Sequence, residues 1–76
     1  MKNQDTYYET ERMLYVKAVV KGDSSEASLH MGRMQGYKDA MCNMGVDFVK
    51  ICDMHDRIMS AIDFAYRMRR RYMKNN

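Results

Sequence analysis

Between Asp47 and Lys74 apolar residues recur at three- and four-residue steps with no proline or glycine between them, a pattern that predicts one helix over 47–74. At 1.5 Å per residue that helix would run roughly 40 Å. Placing its residues at about 100° steps puts Phe48, Ile51, Cys52, Met54, His55, Ile58, Met59, Ala61, Ile62, Ala65 and Tyr66 on one half of the cylinder. Asp53, Asp56, Arg57, Ser60, Asp63 and Arg67 fall opposite. A surface helix usually buries a stripe nearer 100° wide, so an arc this broad asks for cover from both neighbouring helices or from a second copy of the chain. The expected assembly is a homodimer or a larger homo-oligomer.

Two further helices precede it. The first is expected over 6–21, with Asp5 or Thr6 as its cap and Gly22 as its stop. Residues 13–20 are rich in β-favouring side chains, but no second strand exists to pair with them, and a lone strand leaves its backbone groups unsatisfied. The second helix is expected over 24–44. Asp23 followed by Glu26 forms a capping-box pattern at its start, and Gly45 stops it. Gly45 and Val46 leave a short joint, after which Asp47 caps the third helix. Joints this short fold consecutive helices antiparallel. The sequence therefore specifies an all-α, three-helix antiparallel arrangement over residues 1–76 as one domain, its long C-terminal helix overhanging the second by roughly 10 Å.

The middle helix carries two distinct lines. Ala27, His30, Met31, Met34, Tyr37, Met41 and Met44 form an apolar face, while Ser28, Gly32, Gly36 and Ala40 form a line of small residues. Mid-helix glycine costs about 1 kcal/mol relative to alanine. Gly32 and Gly36 are therefore read either as glycines tolerated on a solvent face or, together with Ala40, as a site of close helix packing, within the chain or between chains. Ile51, Ile58 and Ile62 supply the matching apolar contacts on the third helix.

Composition adds adaptability and a basic end. Ten methionines give a soft apolar surface. Thirteen basic against ten acidic side chains leave a net charge of +3, too small to mark a nucleic-acid binder by itself. The excess is concentrated in Arg67, Arg69, Arg70, Arg71 and Lys74, with Tyr72 among them available to stack. These six residues are the candidate partner-binding site, for an acidic protein surface or for phosphates. Two cysteines are too few for a disulfide scaffold, and neither a signal peptide nor a membrane span is expected, which points to a soluble cytoplasmic protein.

Chemistry finds little to use. His30, His55 and Glu11 fall in apolar arcs and read as core or interface groups, with a pH-sensing pair as the functional alternative. Cys52 and His55 lie one turn apart, but His30 and Cys42 diverge by about 120° on their own helix, so no tetrahedral metal site is expected and both cysteines are read as buried. Ser60 has no histidine at helical spacing, and Gly32 and Gly36 lack the loop and lysine of a phosphate cradle. The expectation is a non-enzymatic protein with no cofactor.

The run Gly32-Arg-Met-Gln-Gly-Tyr-Lys-Asp-Ala-Met41 resembles a helix found in short all-helical proteins of phages and prophages. It covers about ten residues, and it implies a mobile-element accessory protein of the kind that inhibits host defence machinery by binding. The alternative expectation is a small nucleic-acid-binding protein that uses the Arg-rich end.

Overall fold

The computed structural model describes residues 2–75, with side chains from Thr6 to Lys74, and is built of three helices: α1, Lys2–Lys21; α2, Ser24–Asn43; and α3, Phe48–Asn75. α1 thus begins four residues earlier than expected. Asp5 and Thr6 lie inside it and do not cap it, since the polar run before them contains no glycine or proline to oppose helix. The other boundaries fall within a residue of those expected.

Both joints are built alike, and the glycines explain them. At the end of α1 the Gly22 N–H donates to the Val19 carbonyl at 3.0 Å and the Asp23 N–H to the Ala18 carbonyl at 2.9 Å. At the end of α2 the Gly45 N–H donates to Cys42 at 3.2 Å and the Val46 N–H to Met41 at 3.0 Å. This is the paired bonding of a Schellman turn, which needs a left-handed residue after the helix; Gly22 has φ +83° and Gly45 φ +74°. Asp23 serves two purposes. Its side chain accepts from the Glu26 N–H at 3.1 Å as the α2 cap. Its own N–H is already committed to the turn, so Glu26 does not complete a capping box and faces His30 Nε2 at 3.4 Å.

α2 runs antiparallel to both other helices, and α3 returns parallel to α1. Arg57 meets Glu9 at one level and Arg69 meets Val19 at another, so the two helices keep step along their length. α2 and α3 both lean on α1 and touch each other far less. The core follows from that layout: Tyr8, Tyr15 and Val19 of α1 against Met34 of α2 and Met54, Ile58 and Ala65 of α3. The result is a rod of 46 × 20 × 20 Å with a radius of gyration of 13.4 Å. A compact chain of this length would have a radius of gyration of about 11.4 Å. Its 5563 Å² of accessible surface likewise exceeds the roughly 4,900 Å² usual for its mass.

The small-residue line on α2 does not pack within the chain. A β-carbon added at Gly32 or Gly36 would meet nothing within 4 Å, and Ala40 is exposed. α1 and α3 both lie against the opposite, methionine-bearing side of α2, which leaves this line facing outward. Gly32→Ala and Gly36→Ala should therefore each stabilise the protein by about 0.8 kcal/mol through helix propensity alone. Urea denaturation would register this as a higher midpoint at unchanged slope.

Candidate contact face and basic end

The basic residues at the end of α3 divide into structural and unengaged groups. Arg69 is half-buried, and its guanidinium donates to the Val19 and Val20 carbonyls at 3.0 and 3.1 Å. It closes the C-terminal end of α1, where last-turn carbonyls lack helical partners and the helix dipole favours a cation. This corrects the reading of Arg69 as a partner-binding residue. Gly22 leaves space for it: a β-carbon there would sit 3.0 Å from the guanidinium. Arg67 pairs with Asp63 at 2.8 Å, both exposed. Arg70, Arg71 and Lys74 are exposed, with no ion pair to any described residue, and Tyr72 is half exposed beside them.

Without Arg69, the remaining cations no longer surround the helix. Arg67, Arg70, Arg71 and Lys74 lie within roughly 100° of one another on α3. Asp53, Asp56 and Asp63 occupy the same flank in the earlier turns. One flank of α3 therefore runs from acidic to basic along its length. Replacing Arg69 with alanine should destabilise the fold by about 1.5 kcal/mol, the usual worth of hydrogen bonds from a charged donor, whereas Arg70→Ala should stay within about 0.5 kcal/mol of the parent. Thermal denaturation of the two variants side by side separates cap from surface charge.

Beside that flank lies a line of apolar groups that the core does not take up. The buried line of α3 is Met54, Ile58, Ala61 and Ala65. About 100° round the helix run Phe48, Cys52, His55, Met59, Ile62 and Tyr66. Phe48 is 74% exposed, Met59 51% and Tyr66 48%, with Ile62 half-buried at the edge of the core. His55 and Cys52, expected in the core, are exposed, as is Cys42 on α2. The cause is the loose α2–α3 contact. The line borders α2, with His55 Nδ1 3.2 Å from Lys38 Nζ and Tyr66 across an open groove from Ser28 and Met31. Of the predicted packing residues, Ile58 is in the core, Ile51 and Ile62 are half-buried, and Gly32, Gly36 and Ala40 face outward.

The histidine expected in the core that is there is His30. Its Nδ1 lies 2.6 Å from Glu11 Oε1, with both side chains almost fully buried, and Arg33 approaches the second Glu11 oxygen at 3.5 Å. His55 is on a different helix and takes no part. The pair ties α1 to α2. The depression around Ser60 is lined by Tyr8, Glu9, Arg12, Asp53, Asp56 and Arg57, with neither histidine in it. Among the described residues no group of three or more histidine, cysteine or acidic side chains is arranged to hold a metal ion, and no helix is long and apolar enough to cross a membrane.

Tyr8 completes the polar inventory of the interior. Its hydroxyl is buried with no hydrogen-bond partner among the described residues, while the Arg57 guanidinium lies 4.8 Å from the ring centroid. Burial pushes the Tyr8 phenol above its ordinary value despite the nearby cations Arg57 and Arg12, and burial does the same to Tyr15. Both phenols hold their protons more tightly when folded than when unfolded. Their contribution to stability is therefore complete below about pH 10 and falls as the pH rises beyond it. Tyr8→Phe should weaken that alkaline loss and, by removing an unpaired buried hydroxyl, raise neutral-pH stability by about 1 kcal/mol. Urea midpoints at pH 7 and above pH 10 test both parts.

Comparison of the chain with protein-family models, with curated proteins and with solved structures returned no match.

Proposed function

We propose that this protein works by contact with other proteins, and that the exposed line on α3 from Phe48 to Tyr66 is its contact face. The observation that carries the reading is the placement of large apolar side chains, Phe48, Met59 and Tyr66 foremost, in one continuous line outside the core. Apolar groups left in register at a groove mark a site that another surface covers. The methionine and tyrosine content suits such a surface, since both types adapt to a partner at low entropic cost. The likeness of residues 32–41 to helices of phage and prophage proteins supports an accessory protein in a host cytoplasm that inhibits a host complex, such as a defence assembly, by occupying it. On this reading the protein is not an enzyme and needs no cofactor.

The test is affinity capture from host lysate with the parent chain and with a Met59→Glu, Tyr66→Glu double variant. Both positions are about half exposed, so the substitutions leave the core in place. A protein retained by the parent and lost from the variant is the expected result; identical captures would sink the reading.

One observation favours a second reading, nucleic-acid binding: Arg67, Arg70, Arg71 and Lys74 share one flank of α3. Four phosphate contacts would give a log–log salt slope of roughly −3 to −4, abolished when the four are neutralised. The acids earlier on the same flank oppose such binding and place this reading second.

A further inference from the structure

We propose that the contact face of α3 is covered by a second copy of this chain, with the two α3 helices antiparallel and a two-fold axis passing between Met59 and Ile62. The inference rests on the reading of that line as a protein-contact face. Three features of the helix select this occupant and this direction.

The first is spacing. Phe48, Cys52, His55, Met59, Ile62, Tyr66 and Met73 fall on positions that alternate four- and three-residue steps, the remaining position being Arg69, which is held on the end of α1, and the series of positions reads the same from either end. This is the seam of a coiled coil. Turned end for end about its middle, the helix brings Phe48 against Met73 of the second copy, His55 against Tyr66, and Met59 against Ile62. Phe48 and Met73, 74% and 58% exposed and at opposite ends of one rod, cover each other only in this arrangement.

Charge is the second feature. In an antiparallel helix pair each flank faces the same flank of the partner, running the other way. The flank beside the seam carries Asp53 and Asp56 before the axis and Arg67, Arg70, Arg71 and Lys74 after it, so a second copy sets its Arg67 and Arg70 beside Asp53 and Asp56, while Asp63, just past the axis and paired with Arg67 of its own chain, comes near the second copy's Asp56. The parallel alternative stacks the same four cations on one another. α2 adds to this match: its last turn has no basic residue, and its C-terminal carbonyls lie at the end of the rod where the second copy's Arg70, Arg71 and Lys74 arrive.

The third is area. A stable homodimer covers about 800 Å² on each partner. A rod 46 Å long and 20 Å wide offers a face of that order. The surface in excess of that usual for this mass also belongs to a shape with one side uncovered.

The experiment starts from a chain in which the exposed Cys42 and Cys52 are replaced by serine and Phe48→Cys and Met73→Cys are introduced together. The two new thiols are roughly 37 Å apart along one helix and cannot join within a chain. Light scattering of the parent at micromolar concentration should give twice the 9.0 kDa chain mass. Mild oxidation of the double variant should give a covalent dimer whose peptide map joins position 48 of one chain to position 73 of the other. Phe48→Cys alone should stay uncrosslinked, and Met59→Glu should raise the dimer dissociation constant at least tenfold. A 9.0 kDa species overturns the proposal. So does a dimer that crosslinks through position 48 to itself, which is the parallel pair, or one that crosslinks at neither position, which uses another face. If the parent is monomeric while the double glutamate variant loses a captured protein, the contact face stands and the second copy is excluded as its occupant.

Discussion

Glu11→Ala is expected to take up to about 3 kcal/mol from the stability of this protein. The substitution removes the carboxylate 2.6 Å from His30 Nδ1 and leaves a histidine that is 6% exposed without its principal partner. Leaving a buried polar group without its hydrogen-bond partner costs up to about 3 kcal/mol, because the survivor keeps its desolvation penalty and loses its compensation. A domain of this size has a total stability of roughly 4–11 kcal/mol, so a loss of about 3 kcal/mol takes a quarter or more of it. The matched control is Glu11→Leu with His30→Leu, which removes both groups and should return most of the stability. Circular dichroism at 222 nm during urea titration reads all three chains. A Glu11→Ala midpoint equal to that of the parent would show that Glu26, 3.4 Å from the other ring nitrogen, can take over the histidine.

The second large effect is at Ile58. Its side chain is fully buried between Met54 and Ala65 on α3 and belongs to the cluster that includes Tyr8, Tyr15 and Met34. Truncation to alanine deletes three carbons where three helices meet, and with neighbours from each helix the gap cannot close by moving one of them. A loss of about 3 kcal/mol is expected. Ile62→Ala, one turn on and half-buried at the edge of the cluster, should cost well under half as much. The ratio of the two, read from denaturant midpoints, measures how far the core extends towards the contact face.

The turns were legible in the sequence because their chemistry is local. Gly22 and Gly45 mark the two places where the backbone enters the left-handed region, and Asp23 is fixed as a cap by its position relative to Glu26. Orientation along the chain follows from two such short joints. What periodicity could not settle was which part of the wide arc on α3 is buried. The arc holds two lines, one through Ile58 and one through Met59, and an apolar residue signals burial without naming its cover. The structure assigns the first line to α1 and leaves the second beside a helix that stands off from it. His30 and His55 show the same limit. Each falls on an apolar face, yet Glu11 of α1 meets only His30, and that depends on how α1 is rotated.

α1 was the least legible element. Its buried face mixes Tyr8, Glu11 and Tyr15 with Ala18 and Val19, so polar and apolar positions do not separate around it. Arg69 was legible as a charge but not as a cap. Its function comes from carbonyls some fifty residues earlier in the chain, a relation no local pattern carries.

That distance bears on how the chain reaches its fold. α1 and α2 are neighbours in sequence and can form their hairpin as soon as both exist, but the last carbonyls of α1 find a cation only when residue 69 has arrived. During synthesis at about 5–20 residues per second, the first helix waits several seconds with one side bare and without the Arg69 guanidinium at its end. The last turns of the chain therefore act as a latch on its first helix. Shortening α3 from its C-terminal side to a point before Arg69 would reopen the end of α1, more than 40 residues away in sequence.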